Sequence, residues 1–188
     1  AEPELEHILT DAAVGVLVAP RPLQGRMEPL CRRLGIRILS VEDAMGAACA
    51  VLPQLSSDRR AMILYTSGTT SKPKGVVSTH ANIEAQVTTL VTAWEWQRND
   101  CVPLFLPLHH IHGIVNVLTC ALWSGATVEM FESFDVDRIL SRVAEKAYTL
   151  FMAVPTIYVK LIRVLESALL ERRARYADGF GSMRLMVS

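Results

Sequence analysis

Hydrophobic residues follow two spacings along this chain of 188 residues, and the two spacings alternate. Short apolar runs bounded by turn residues predict strands, and apolar residues three or four positions apart predict helices. The predicted strands cover residues 14–19, 36–39, 63–65, 76–77, 101–106, 126–131, 148–153 and 184–188. The predicted helices cover residues 4–10, 27–34, 80–96, 113–123, 135–146 and 155–171.

This order of elements predicts an α/β fold, with a mixed or parallel sheet and flanking helices. Residues 40–60 and 172–183 show neither spacing, so they are predicted to be connections, the second one basic and exposed. The chain opens on Ala1 and closes on a strand-like run with no turn after it. A strand at a sheet edge normally has a partner or a terminator, so we expect the chain to be a piece of a longer protein.

Charge and composition narrow the possible partners. Acidic and basic residues balance at 19 each, so no overall field attracts nucleic acid or an anionic membrane. The longest nearly unbroken apolar run, residues 114–123, is too short to span a bilayer, and no targeting signal is visible. The cysteines at 31, 49, 101 and 120 have no zinc-binding spacing, which predicts buried thiols in a reducing intracellular compartment, cytoplasmic or mitochondrial.

A polar loop between two predicted strands is the first candidate for chemistry. It contains Thr66, Ser67, Gly68, Thr69, Thr70, Ser71, Lys72, Pro73, Lys74 and Gly75. Hydroxyls, ammonium groups and exposed amides together favour phosphate binding, and Gly68 and Gly75 are expected to supply backbone freedom. The loop is not a Walker A motif, because Val76 follows its last glycine. A polar hairpin with no ligand is an equally good interpretation of the composition.

The second candidate is LPLHHIHG, residues 106–113, with His109, His110 and His112 just after a predicted strand. Open α/β sheets bind ligands at such strand ends. Structural histidines would give the same pattern, and no neighbouring Cys or carboxylate cluster completes a zinc site. The third segment, FMAVPTIY at 151–158, is by itself typical of a core strand that leads into a helix started by proline.

Taken in order, these segments resemble the adenylate-forming superfamily, which includes acyl-CoA synthetases. YTSGTTSKPKGVVSTHANI is similar to its phosphate-binding signature, and LPLHHIHG is similar to its second core motif. LWSGATVEM, FMAVPTIYVKL and RLMVS match further segments in the family's order, and PELEHILTDAAVGVLVA does so more weakly. The resemblance implies that residues 1–188 are part of the N-terminal AMP-binding (adenylation) domain of an acyl-CoA synthetase, without the C-terminal domain.

The activity implied by this resemblance is AMP-forming acid–CoA ligation: ATP adenylates a carboxylic acid, and the acyl group then passes to coenzyme A. Within the superfamily the chain looks most similar to malonyl-CoA synthetases, which implies malonate or methylmalonate as substrate. A medium-chain fatty acid or aryl acid ligase, or a truncated non-catalytic binding module, are the alternatives. Motifs for adenine, ribose, the Mg²⁺-associated glutamate and the C-terminal catalytic lysine do not occur, so the fragment by itself is expected to be inactive.

The resemblance also implies roles for single residues. The β- and γ-phosphates would be held by Thr66, Ser67, Gly68, Thr69, Thr70 and Lys74, within a loop that includes Ser71, Lys72 and Gly75. Thr69 or Thr70 would help to orient Mg²⁺, which prefers oxygen ligands.

His110 would line the acyl pocket beside the reacting carboxylate as the catalytic residue, and His112 would donate to a second carboxylate of the substrate. Ser71 departs from the family, which usually has glycine there. If the position requires a positive φ, serine would be strained by about 1–2 kcal/mol.

Overall fold

The computed structural model describes residues 2–46, 51–66 and 72–188. The chain divides into two compact units, Ala1–His80 and Ala81–Ser188. Both combine helices with short strands, so the predicted mixed α/β architecture is confirmed.

The first unit contains a parallel pair of strands and a hairpin. Its elements are α1 (Glu2–Asp11), β1 (Val16–Ala19), α2 (Arg21–Leu34), β2 (Arg37–Ser40), α3 (Val41–Met45), β3 (Arg60–Thr66) and β4 (Lys74–Thr79). Strands β1 and β2 pair in parallel, and the core beside them consists of Leu9, Leu30, Cys31 and Ile36.

Two helices of this unit differ from the prediction. Helix α2 begins at Arg21 and not near residue 27, because Pro22 lies in its first turn, where no backbone hydrogen bond is lost. Gly35 ends the helix with a φ of 67°, as the sequence predicts. The predicted connection 40–60 contains the short helix α3, whose first turn is capped by the Ser40 side chain.

Strands β3 and β4 form an antiparallel hairpin in which Tyr65 pairs with Gly75 and Thr66 with Lys74. The prediction of two strands around a polar loop is therefore confirmed. The middle residues of β3 are half-buried, and Val76 of β4 is 53% exposed. Among the described residues, the sheet formed by β3 and β4 has two strands, so no further strand of that sheet flanks them.

The second unit is built on two parallel strand pairs. Its elements are α4 (His80–Ala93), β5 (Cys101–Leu104), a π-helix (His112–Thr119), α5 (Cys120–Ser124), β6 (Thr127–Met130), α6 (Val136–Ala144), β7 (Leu150–Met152), α7 (Pro155–Ser167), α8 (Leu170–Gly181) and β8 (Leu185–Val187). Strand β5 pairs with β6 and β7 with β8, and the Thr149 N–H donates to the Cys101 carbonyl between the two pairs. Every residue of β7 is buried.

The prediction that residues 172–183 form a surface connection is wrong, because most of them belong to helix α8. Gly179 explains the error. It is buried, and a Cβ on it would lie 2.1 Å from the Val143 carbonyl oxygen of α6. The glycine that suggests a loop thus permits close packing of two helices. The prediction of buried thiols is confirmed for Cys31 and Cys120 and is wrong for Cys101, which is half-buried. The same prediction for Cys49 falls outside the described residues.

Candidate functional site

The end of the β3–β4 hairpin carries the described part of the predicted phosphate loop. Thr66 and Lys74 face each other across the hairpin, and the Thr66 hydroxyl donates a long hydrogen bond of 3.5 Å to the Lys74 carbonyl. Thr66, Lys72 and Lys74 are exposed, so two ammonium groups meet solvent at this end of the hairpin. The predictions for Ser67, Gly68, Thr69, Thr70 and Ser71 fall outside the described residues.

Gly75 has a different role from the one expected. It does not adopt a positive φ, so backbone freedom does not explain why glycine occupies this position. A Cβ at this position would lie 3.0 Å from Ile63 Cγ2 and 3.1 Å from Tyr65 Cζ. Glycine therefore provides room for the Tyr65 ring across the hairpin.

Helix α1 contacts the same end of the hairpin. The His7 Nε2 donates to the Pro73 carbonyl at 3.1 Å, and the Tyr65 hydroxyl donates to the Asp11 carboxylate at 2.6 Å. The hydrogen bond to Asp11, together with burial, raises the pKa of Tyr65 to about 12. No motif in the sequence marks His7 or Asp11, and the only signal for them is their four-residue spacing, which places both on one helix face.

The histidine segment in the second unit follows β5 and the buried residues Phe105 and Leu106. The His110 N–H donates to the Pro107 carbonyl at 3.2 Å, which turns the chain back at the end of the strand. His109 and His110 are exposed, with ring centroids 4.3 Å apart. The segment thus presents two imidazoles to solvent, whereas the third histidine, His112, is half-buried.

His112 is the first residue of the π-helix, and its Nε2 is buried without a hydrogen-bond partner among the described residues. Burial lowers the pKa of the imidazole, which keeps it neutral near physiological pH. An unpaired polar atom in a buried position is costly unless a ligand or water satisfies it. The nitrogen can therefore exchange a hydrogen bond with an oxygen that enters this position.

The backbone around His112 is constrained from both sides. Gly113 is buried, and a Cβ on it would lie 2.5 Å from the Pro107 carbonyl oxygen. The Asn116 side chain accepts a hydrogen bond of 2.7 Å from Gln86 of α4.

The prediction of one α-helix over 113–123 is wrong in its first part, since the chain forms a π-helix up to Thr119 and an α-helix only from Cys120. Wider turns of this kind often occur at functional sites.

In the ranges 2–46, 51–66 and 72–188, no group of three or more His, Cys, Asp or Glu side chains could hold a metal ion. The expected Mg²⁺ contacts at Thr69 and Thr70 fall outside those ranges. Among the described helices, none has the length and apolar character required to cross a membrane.

Comparison with known proteins agrees with this architecture. The family model described as AMP-binding enzyme matches residues 1–188, so the chain belongs to the AMP-binding enzyme family. The mouse protein named mitochondrial malonate–CoA ligase ACSF3 is 40% identical over 171 residues, which cover 86% of this chain and 29% of the mouse protein. The chain therefore spans less than a third of that relative's length.

Solved structures give the same result. ATP-bound MatB from Rhodopseudomonas palustris superposes with a TM-score of 0.83 at 28% identity, covering 99% of this chain and 37% of MatB. A malonyl-CoA ligase ternary product complex with methylmalonyl-CoA and AMP superposes with a TM-score of 0.80, also at 28% identity, covering 98% of this chain and 38% of the ligase. The chain is thus similar to acyl-CoA ligases in both sequence and fold.

Proposed function

We propose that the protein carrying this chain is an AMP-forming acid–CoA ligase. It joins a carboxylic acid to the α-phosphate of ATP, releases pyrophosphate, and then transfers the acyl group to the thiol of coenzyme A. The observation that carries the proposal is the 40% identity to a malonate–CoA ligase over 86% of the chain. Residues 1–188 would form part of its N-terminal adenylation domain, with the C-terminal domain outside this chain.

Malonate or methylmalonate is the proposed substrate. The relative from mouse is named for malonate, and a similar structure holds methylmalonyl-CoA. Both acids carry a second carboxylate that does not react, so the enzyme needs a hydrogen-bond donor for it. We assign this role to His112, whose Nε2 is buried and unpaired in the described part of the chain. His110, at the exposed turn before it, would lie beside the reacting carboxylate.

The hairpin end would bind the β- and γ-phosphates of ATP. Attack of a carboxylate on the α-phosphate brings anionic groups together, so positioned cations and donors are required. The exposed ammonium groups of Lys72 and Lys74 support this role. The loop donors would be Thr66, Ser67, Gly68, Thr69, Thr70, Ser71 and the backbone at Gly75. Mg²⁺ bound with ATP would neutralise phosphate charge, and a Thr69 or Thr70 hydroxyl would supply an oxygen ligand of the type it prefers.

A panel of carboxylic acids tests this function. Malonate, methylmalonate, acetate, a medium-chain fatty acid and an aryl acid are each supplied with Mg·ATP and coenzyme A to the longest polypeptide that carries this sequence. Release of pyrophosphate and formation of thioester should be fastest with malonate or methylmalonate. Preference for the medium-chain or aryl acid would reject the dicarboxylate assignment, and no turnover with any acid would reject the ligase proposal.

His112→Ala tests the role of the buried Nε2 of this half-buried histidine. Loss of one donor to a carboxylate should lower kcat/KM for malonate by about tenfold and leave acetate nearly unchanged, because acetate has no second carboxylate. His109→Ala is the matched control, since His109 is exposed and lies in the same segment. If His112→Ala keeps the malonate-over-acetate preference, the role assigned to His112 is wrong.

The proposed partners are small molecules, namely the acid, ATP and coenzyme A, and not nucleic acid, in agreement with the balanced charge. We also propose an intracellular location, and the mitochondrial name of the mouse relative makes that compartment the first one to examine. Fractionation of cells that express the tagged protein would test this location.

A further inference from the structure

Helix α1 is hydrogen-bonded to both sides of the hairpin, at Tyr65 of β3 and at Pro73, the residue just before β4. The His7 Nε2 lies 3.1 Å from the Pro73 carbonyl oxygen, and it must be the donor because a carbonyl only accepts. The Tyr65 hydroxyl lies 2.6 Å from the Asp11 carboxylate and 3.4 Å from the Ile8 carbonyl. One helix therefore holds the end of β3 and the residue before β4, next to the exposed lysines.

Pro73 stands directly between the two lysines and is half-buried, whereas both lysines are exposed. Its ring fixes φ, and its carbonyl begins the peptide bond to Lys74. A hydrogen bond from His7 to that carbonyl thus restrains the direction in which Lys74 leaves the turn. On the other strand, Tyr65 faces Gly75, whose missing side chain gives the ring its place.

The core of the unit does not require these polar contacts. Leu5 and Leu9 of α1 pack with Leu30 and its neighbours. His7 is two positions from Leu5 and from Leu9, so it lies on a different face of the helix from both. Asp11 is two positions from Leu9 and also lies on a different face from that leucine. This second face of α1 is accordingly available for the hairpin.

We propose that His7 and Asp11 are positioning residues for an oligophosphate site at Lys72 and Lys74. They act through Pro73 and Tyr65, and they hold the two ammonium groups in place before the ligand arrives, which lowers the entropic cost of binding. The inference rests on the proposed function, because it takes the lysine-bearing end of the hairpin as the place where the outer phosphates of ATP bind.

The test measures binding and not turnover. Calorimetric titrations of the longest polypeptide that carries this sequence use three probes: Mg·ATP, inorganic tripolyphosphate and AMP. His7→Ala should weaken ATP and tripolyphosphate about three- to tenfold, the range that corresponds to one lost hydrogen bond, and leave AMP unchanged because AMP has no outer phosphates. His7→Gln, which can place an amide N–H near the position of Nε2, should restore most of the affinity.

Glu6→Gln is the matched control. Glu6 is adjacent on α1 and pairs with Arg33 at 2.7 Å, so the variant removes the charge of an ion pair of the helix without touching the hairpin. It should bind all three probes like the unmodified protein.

The inference is overturned if His7→Ala binds ATP normally, if ATP and AMP weaken equally, or if the unmodified protein does not bind tripolyphosphate. The titrations could give the expected binding pattern while the same protein activates no carboxylic acid. That combination would count against the ligase proposal and leave this inference standing.

Discussion

At the residue scale, one buried carboxylate links the residues that come just before three strands of the second unit, β5, β7 and β8. Asp100 is 2% exposed and accepts hydrogen bonds from Arg184 Nε at 2.9 Å, the Thr149 hydroxyl at 2.7 Å and the Gln97 N–H at 2.7 Å. We expect Arg184→Ala to destabilise the protein by roughly 3 kcal/mol, since it leaves a buried charge without its cation. Urea denaturation would measure this change.

The loss of stability caused by Arg184→Ala should depend on pH. Burial by itself raises the pKa of Asp100, but the hydrogen bonds from Arg184, Thr149 and Gln97 outweigh it and bring the pKa below its ordinary value. The stabilisation that the ionised Asp100 provides is therefore fully present above the unfolded-state pKa of about 4. It is lost as the pH falls through the lower folded-state pKa. The difference between Arg184→Ala and the unmodified protein should shrink on acidification. Arg32→Ala, which breaks an exposed pair with Glu28, should cost little at any pH.

At the scale of the elements, helix α8 depends on one glycine. Gly179→Ala would place a methyl group 2.1 Å from the Val143 carbonyl oxygen, so α6 and α8 would have to separate. We expect a loss of roughly 1–3 kcal/mol in the free energy of unfolding, the range for overpacked sites. Gly181→Ala is a control in the same helix, because its Cβ would meet nothing within 4 Å. Equal stability of the two variants by thermal melting would contradict this account of α8.

Several elements show what sequence patterns can and cannot predict. The hairpin and the strand before the histidines were predictable, since apolar runs and polar turns mark them locally. Helix α8 was missed because Gly179 is explained by its contact with Val143, 36 positions earlier in the numbering, and not by its neighbours. The π-helix was missed because its apolar pattern resembles an α-helix, and the Gln86–Asn116 bond beside it is equally non-local. His110 and His112 were predicted from a motif, but only the structure shows that the Nε2 of His112 is buried while His110 is exposed.

At the scale of the whole molecule, we expect the proposed chemistry to need more polypeptide than these residues. The chain spans 29% of the mouse ligase, and the superfamily's motifs for adenine, ribose, Mg²⁺ and the catalytic lysine do not occur in it. The residues assigned here would bind only the outer phosphates and one end of the acid. Binding of separate groups accelerates a reaction only when all reacting atoms are held in position together.

We therefore expect the 188-residue chain by itself to release no pyrophosphate from Mg·ATP and malonate, whereas the longest polypeptide that carries it should do so. A coupled pyrophosphate assay at equal concentrations of the two proteins makes the comparison, and tripolyphosphate titration shows whether the short chain still has its phosphate site. Tripolyphosphate binding without turnover would separate the phosphate site from the complete active site. Turnover by the short chain would mean that these residues alone contain the groups required for adenylation, and the roles assigned to the rest of the polypeptide would be wrong.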